Sequence, residues 1–212
     1  MSALLVCPAL LLIAVVFGYP MLRYGWLSFH ADSVLTGLVP IPNGGANWQR
    51  LLGDARFWQD AIQTGRFALL SVGLELLLAL AIALLLDQRW RGRGAVRALT
   101  LLPWALPTTM MALGWRWIFN TPYGPLEQAA AAIGLPALNL LADPRWAWMA
   151  TVTADVWKTT PFITLILLAG LQTIPADLFE AFRLEGGRPM QALREITLPL
   201  LVPYILLSLL FR

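Results

Sequence analysis

Long apolar runs alternate with polar connections along the whole chain. The runs predict membrane spans at about Ala3–Leu22, Ala61–Leu86, Ala98–Phe119 and Ala147–Leu171, and a fifth apolar run starts at Pro199. Each of the first four approaches the ~20 residues with which a helix crosses about 30 Å of hydrocarbon. The pattern therefore predicts an all-α fold, a polytopic transmembrane helical bundle.

The fifth run is shorter than the others. Pro199 to Arg212 is 14 residues, or about 21 Å of helix at ~1.5 Å per residue. That length does not cross about 30 Å of hydrocarbon. We therefore expect about five spans, the last of them incomplete, with the C-terminal span or spans lacking.

The composition agrees with a membrane protein and excludes several kinds of site. Hydrophobic residues make up 58% of the chain and charged residues 13%, whereas soluble domains carry roughly 25% charge. One cysteine and one histidine exclude an intrachain disulfide and a multi-cysteine metal cluster, so no metal site is expected. The net charge of +3 bears on orientation in the membrane and does not point to nucleic acid.

Arginines are unevenly distributed between the polar connections. Seven lie in the connections 87–97 and 172–198, and four lie in the longer connections 22–60 and 120–146. Because cytoplasmic loops carry the excess of basic residues, we expect the first pair, and the N-terminus, in the cytoplasm. Residues 22–60 then form an outer loop, in which PIPNGG and the residues after it predict a turn and a short amphipathic helix.

The connection 172–198 contains the stretch EAFRLEGGRPMQALREITLP. It predicts two short helices, because Gly186 and Gly187 stop the first helix and allow a sharp bend. Leu198-Pro199 is predicted to end the second helix and to start the next span. Such a pair could rest on lipid headgroups, where basic residues would dominate its polar face. Acidic residues mixed with its arginines favour docking into a protein instead.

This stretch resembles the cytoplasmic coupling loop of ABC importer permeases, whose pattern is E-A-A, an acidic-Gly-Ala, then I-x-L-P. The matching segments are Glu180-Ala181-Phe182, Glu185-Gly186-Gly187 and Ile196-Thr197-Leu198-Pro199. The chain departs from the pattern at Phe182, Glu185 and Gly187. The resemblance implies that the loop sits in a cleft of a separate ATPase subunit, with Glu180 paired to a basic residue and Gly186 permitting the bend.

The chain itself lacks the sequence signature of an ATPase. It contains no G-x-x-x-x-G-K-[ST] phosphate loop, and its only lysine, Lys158, follows Asp-Val-Trp. We therefore expect no catalytic residue and no cofactor in this chain. ATP and Mg²⁺ would be bound by partner subunits.

A wider resemblance covers nearly the whole chain. Segments such as LLPWALPTTMMALGWRWIFN and ADVWKTTPFITLILLAGLQTIPADLFEA are similar to the first permease subunit of carbohydrate importers of the maltose, trehalose and glycerol-phosphate type. This implies the ABC type I importer permease fold and a single permease domain over residues 1–212, with coupling helices at 172–198. It also implies a prokaryotic inner membrane, a second related permease, two ATP-binding subunits and an extracytoplasmic solute-binding protein.

The resemblance also implies which residues hold a sugar, on the third, fourth and fifth spans. They are Trp104, Thr108, Trp157, Lys158, Thr159, Ser208 and Arg212. Trp104 and Thr108, like Ser208 and Arg212, are i,i+4 pairs and are predicted to share a helix face. An indole suits the apolar face of a sugar, and hydroxyl and cationic donors suit its hydroxyls.

Each of these residues also has a structural interpretation. Trp104 could belong to an interfacial aromatic belt, and Thr108 and Ser208 could be packing hydroxyls. Asp155 and Lys158 could pair with each other or contact substrate. Glu75 has no obvious partner in the sequence and would face a cavity or a partner subunit.

Three other functions stay open at this stage. Arg212 and Lys158 could hold glycerol 3-phosphate, or the solute could be a polyol. A membrane scaffold that docks a protein without transport would need no charges inside its spans. A membrane enzyme would need a polar constellation at one membrane face, which the lone histidine and cysteine do not supply.

Overall fold

The computed structural model describes residues 2–31, 37, 39–136 and 139–212, with side chains from Val6 onward. In chain order the helices are α1 Ser2–Ile13, α2 Tyr19–Leu27, α3 Ala46–Gly53, α4 Ala55–Asp87, α5 Arg93–Thr100, α6 Leu102–Ala105, α7 Thr108–Ile118, α8 Pro125–Ala132, α9 Pro144–Leu171, α10 Ala176–Leu184, α11 Pro189–Ala192 and α12 Leu198–Leu210. Two π-helical turns, Ala14–Gly18 and Leu193–Thr197, join α1 to α2 and α11 to α12. The all-α expectation is confirmed.

The chain divides into two compact units, Met1–Gly65 and Arg66–Arg212. Among the described residues, four helices are long and apolar enough to cross a membrane, or five if a bent pair counts as one span. This agrees with about five predicted spans. The predicted second and fourth spans lie within α4 and α9.

The first unit contains an apolar helix, a small hairpin and α3. The candidate span is Val6–Leu27, so the helix passes the predicted end at Leu22. It continues past Pro20 because a π-helical turn precedes the proline, and the Tyr19 N–H donates to the Ala14 carbonyl. The wider turn accommodates a residue that has no N–H and whose ring crowds the preceding turn.

The predicted outer loop of this unit has the expected short helix, α3. Before it, β1 His30–Ala31 pairs antiparallel with β2 Ile41–Pro42. The amide of Asn47 donates to the carbonyls of Ser28 at 3.0 Å and His30 at 2.9 Å. These bonds tie the start of α3 to the hairpin.

In the second unit, the predicted third span is broken. The helical segments Arg93–Ala105 and Thr108–Ile118 meet at an angle of 91°. Leu106 is extended, with φ −69° and ψ 136°, because the ring of Pro107 disfavours the helical region for the residue before it. The predicted span over Ala98–Phe119 therefore consists of two helical segments joined at a sharp bend.

At Pro199, in contrast to Pro107, the helix continues. The predicted break at Leu198-Pro199 does not occur, because a π-helical turn precedes it and the Leu198 N–H donates to the Leu193 carbonyl. The helix runs without interruption over Pro189–Leu210, 22 residues. That is long enough for a span, so counting from Pro199 underestimated its length.

The core of the second unit joins α4, α9 and α12. Its buried residues are Ala79, Ala83, Leu86, Ile163, Leu167, Leu168, Leu171 and Leu201. Small residues let helices approach closely in membranes, and Gly170 of α9 does so against α12. A Cβ at Gly170 would lie 2.6 Å from the Tyr204 ring and 2.8 Å from Leu201.

We predict that Gly170→Ala destabilises the protein by about 1–3 kcal/mol, the typical cost of overpacking a helix contact. The midpoint of thermal unfolding in detergent should fall. The matched control is Gly73→Ala in α4, where an added Cβ meets nothing within 4 Å. Because alanine favours helix there, its midpoint should stay or rise, and an equal fall in both variants would contradict the predicted contact.

Candidate functional site

Three ionisable side chains meet between the spans of the second unit. Arg212 Nε lies 2.8 Å from Glu75 Oε2, and Arg212 Nη2 binds Asp155 Oδ2. We call Glu75, Asp155 and Arg212 the ion cluster. It links α4, α9 and the second residue after the end of α12.

Neighbouring hydroxyls complete the cluster. The Glu75 side chain is fully buried, and its second oxygen accepts a 2.6 Å hydrogen bond from Thr159. Ser71 Oγ lies 3.5 Å from Arg212 Nη2. Glu75 therefore has partners within the chain, which the sequence did not reveal.

The structure also replaces the suggested Asp155–Lys158 pair. Asp155 binds Arg212, and the Lys158 ammonium donates at 2.8 Å to the carbonyl of Leu106. Leu106 lies at the break between α6 and α7, where a backbone carbonyl has no helical partner. At membrane depth such a carbonyl needs another donor, which Lys158 provides.

A cavity of about 290 Å³ lies beside the ion cluster. It gathers four of the seven predicted substrate residues from three spans, namely Trp104, Thr159, Ser208 and Arg212. The other lining residues are Phe162, Ile163 and Phe211. Ser208 and Arg212 thus reach the same cavity, as their spacing predicts.

Aromatic rings form one wall of this cavity. Trp104 stacks on Phe162 with ring centroids 5.3 Å apart and an angle of 15° between the rings. Phe211 meets Phe162 edge to face at 6.1 Å. The site therefore offers apolar ring surface next to hydroxyls and a guanidinium.

Three predicted substrate residues lie outside the lining of this cavity as described. Thr108 starts α7, on the far side of the break from Trp104, so the predicted shared helix face of these two residues is wrong. Trp157 packs edge-on against Trp115 at 5.6 Å. Lys158 is held at Leu106.

Residues 175–189 have the bent shape that their sequence predicts. α10 ends in a Schellman motif, in which the Gly187 N–H donates to the Phe182 carbonyl at 2.9 Å and the Gly186 N–H to the Arg183 carbonyl at 3.0 Å. Gly186 has φ +85°, a conformation that side chains with a Cβ disfavour. Arg188 is extended before Pro189 starts α11.

Phe182 and Gly187, two departures from the coupling-loop pattern, lie against each other. A Cβ at Gly187 would lie 2.1 Å from the Phe182 ring. It would also lie 2.7 Å from the Phe182 carbonyl oxygen, so both the ring and the backbone of residue 182 favour glycine at 187. The pattern has alanine at both positions.

The two faces of α10 differ. Phe179 and Phe182 line a cleft of about 550 Å³ together with Leu84 of α4. On the other face Glu180, Ala181 and Glu185 are exposed, and Leu184 is 90% exposed. An apolar side chain surrounded by exposed carboxylates outside the spans favours contact with a protein.

Comparisons with known proteins agree with this architecture. The family described as binding-protein-dependent transport system inner membrane component matches residues 75–212. A trehalose/maltose transport system permease protein of Thermococcus litoralis is 40% identical over 209 residues, which cover 99% of this chain and 70% of that protein.

Two further comparisons extend the range of relatives. A sulfoquinovosyl glycerol transport system permease protein of Agrobacterium fabrum is 34% identical over 212 residues, covering 100% of this chain and 69% of that protein. A crystal structure of a bacterial ABC transporter that imports the acidic polysaccharide alginate superimposes with a TM-score of 0.76. That match has 22% sequence identity and covers 99% of this chain and 70% of the other, so it supports the fold.

The matched residues include the ion cluster, the cavity and the bent segment 175–189. The suspected ABC importer permease resemblance is thus confirmed at the level of family and fold. The chain belongs to the family of binding-protein-dependent transport system inner membrane components, and it is a multi-pass permease subunit of an ABC importer.

Proposed function

We propose that this permease carries a sugar, a di- or oligosaccharide such as trehalose or maltose, into the cytoplasm. The observation that carries the proposal is the cavity in which Trp104, Thr159, Ser208 and Arg212 come together. A sugar ring has an apolar face for the indole and many hydroxyls for the polar groups. The trehalose/maltose relative supports the same class of solute.

The three predicted substrate residues outside the cavity lining could contact the solute along its route through the membrane. Lys158 holds the break beside Leu106, and Thr108 and Trp157 lie near the same broken span. Movement of that span would change their access to the solute. We keep Thr108, Trp157 and Lys158 as candidate contacts in a second conformation of the transport cycle.

The energy for transport would come from ATP hydrolysis by two partner subunits, which bind ATP and Mg²⁺. Residues 172–198 would act as coupling helices docked in those subunits. The exposed Glu180, Ala181, Glu185 and Gly186 form the contact, and Gly187, Leu198 and Pro199 shape its connection to the span. The chain itself would then catalyse no reaction.

The assembly would contain a second, homologous permease and an extracytoplasmic solute-binding protein. The family description, a binding-protein-dependent inner membrane component, supports the second of these. Residues 1–212 would form one transmembrane permease domain in the inner membrane. The arginine-rich connections would lie in the cytoplasm with the N-terminus, and 22–60 would lie outside.

A second candidate solute is an acidic one. Arg212 lines the cavity, and the A. fabrum relative is named for sulfoquinovosyl glycerol. Glycerol 3-phosphate, the alternative from the sequence, belongs to the same class. A polyol would use the hydroxyl contacts without the charge.

We predict that Glu180→Ala and Gly186→Val each reduce maltose-stimulated ATP hydrolysis roughly tenfold, because one removes a charge partner and the other strains the bend. The measurement uses the whole importer with its solute-binding protein in proteoliposomes. Glu195→Ala is the matched control, and Gly186→Asn should retain most coupling because asparagine tolerates this conformation. Full coupling in both Glu180→Ala and Gly186→Val would contradict the docking proposal.

For the solute site, we predict that Trp104→Ala raises the KM of maltose uptake roughly three- to tenfold, the value of one aromatic contact. Trp117→Ala is the matched control, because Trp117 is 61% exposed and lies outside the cavity lining. Subunit assembly should be unchanged in both. An unaltered KM in Trp104→Ala would remove that indole from the site.

A further inference from the structure

We infer that the ion cluster makes the cavity selective for uncharged sugars and against acidic ones. The inference rests on the proposed sugar site and names its substrate class. It assigns a specificity role to Glu75 and Asp155, which are not among the seven residues predicted to hold the sugar. It also decides between the two candidate solutes.

The cation in the cavity already has anionic partners. Among the described lining residues, Arg212 is the charged one. Its guanidinium would be the natural partner of a phosphate or carboxylate on a solute. Two of its nitrogens are already engaged, Nε by Glu75 at 2.8 Å and Nη2 by Asp155.

The ion cluster carries no net positive charge. The cluster contains one guanidinium and two carboxylates, so its net charge is −1, or zero if one carboxylate holds a proton. In neither state is it positive. The Lys158 ammonium is directed to the Leu106 carbonyl, and Arg116 lines a separate cavity with Asp155, so neither cation is among the lining residues of this one.

An anionic solute would either break these ion pairs or meet the carboxylates of the cluster. An acidic group that binds the guanidinium through Nε or Nη2 must displace Glu75 or Asp155. Glu75 is fully buried, and a displaced carboxylate there would lose its partner in a poorly solvated setting. An acidic group that leaves the cluster intact meets no net positive charge, and like charges repel it.

A neutral sugar avoids this cost. The described bonds use Nε and Nη2 of Arg212, so Nη1 remains to donate to a sugar hydroxyl. The Trp104 indole takes the apolar face of the ring. The carboxylates therefore position Arg212 as a hydrogen-bond donor and cancel its charge.

The test compares three ligands of one scaffold: trehalose, 6-O-acetyltrehalose and trehalose 6-phosphate. The acetyl ester controls for added bulk at the same position. Binding to the whole importer in nanodiscs, without the solute-binding protein, is measured by saturation-transfer NMR titration. We expect trehalose 6-phosphate to bind at least about tenfold more weakly than the acetyl ester.

Variants assign the effect to the cluster. Asp155→Asn removes one carboxylate and should narrow the difference between the two esters to within about threefold, and Glu75→Gln provides a second variant. Asp177→Asn on α10 is the matched control and should leave the difference unchanged. Equal binding of the two esters to the wild-type importer would overturn the inference, and so would an undiminished difference in both cluster variants.

The proposed sugar site has its own readout in the same experiment. Trehalose binding should weaken in Trp104→Ala. If trehalose does not bind, or binds equally well to that variant, the sugar site itself is refuted and the selectivity inference is refuted with it. If trehalose binding depends on Trp104 and the phosphate ester binds as well as the acetyl ester, only the selectivity inference is refuted.

Discussion

The pairing of Arg212 with Glu75 and Asp155 is the interaction on which the second unit depends. Charges inside a membrane protein are costly and must be paired, and the Glu75 side chain is fully buried. A partner is therefore required at that position, and Arg212 supplies it. The pairing brings together α4, α9 and the end of α12, which belong to three different spans.

The cavity follows from this arrangement. Arg212 and Thr159 belong both to the cavity lining and to the bonds around Glu75. The break at Leu106-Pro107 places Trp104 on a short helix that faces Phe162 of α9. A continuous third span would have carried Trp104 and Thr108 on one face. Proline chemistry and ion pairing thus shape the same site from two sides.

Much of the fold could be predicted, because the apolar runs and the glycine pair are local signals. The prolines show where local reasoning fails. Pro107 breaks its span, whereas Pro20 and Pro199 are accommodated by π-helical turns that precede them. A proline in an apolar run therefore does not by itself indicate whether the helix breaks or continues through a wider turn.

The candidate site was predictable only in part, for a similar reason. The family resemblance pointed to Trp104, Thr159, Ser208 and Arg212, and the structure brings these together. Glu75 and Arg212 lie 137 positions apart, so no periodicity connects them. The fit of Phe182 to Gly187 likewise depends on a bend that only the folded chain reveals.

The most direct test of the central pairing is a double-mutant cycle on the free energy of unfolding in detergent. It uses Glu75→Gln, Arg212→Gln and the double variant. Arg212→Gln should cost about 3–5 kcal/mol, because it leaves the buried Glu75 carboxylate without its cationic partner. Glu75→Gln should cost less, because Arg212 keeps Asp155 as a partner. The account predicts that the double variant loses clearly less than the sum of the singles, and additive losses would contradict it.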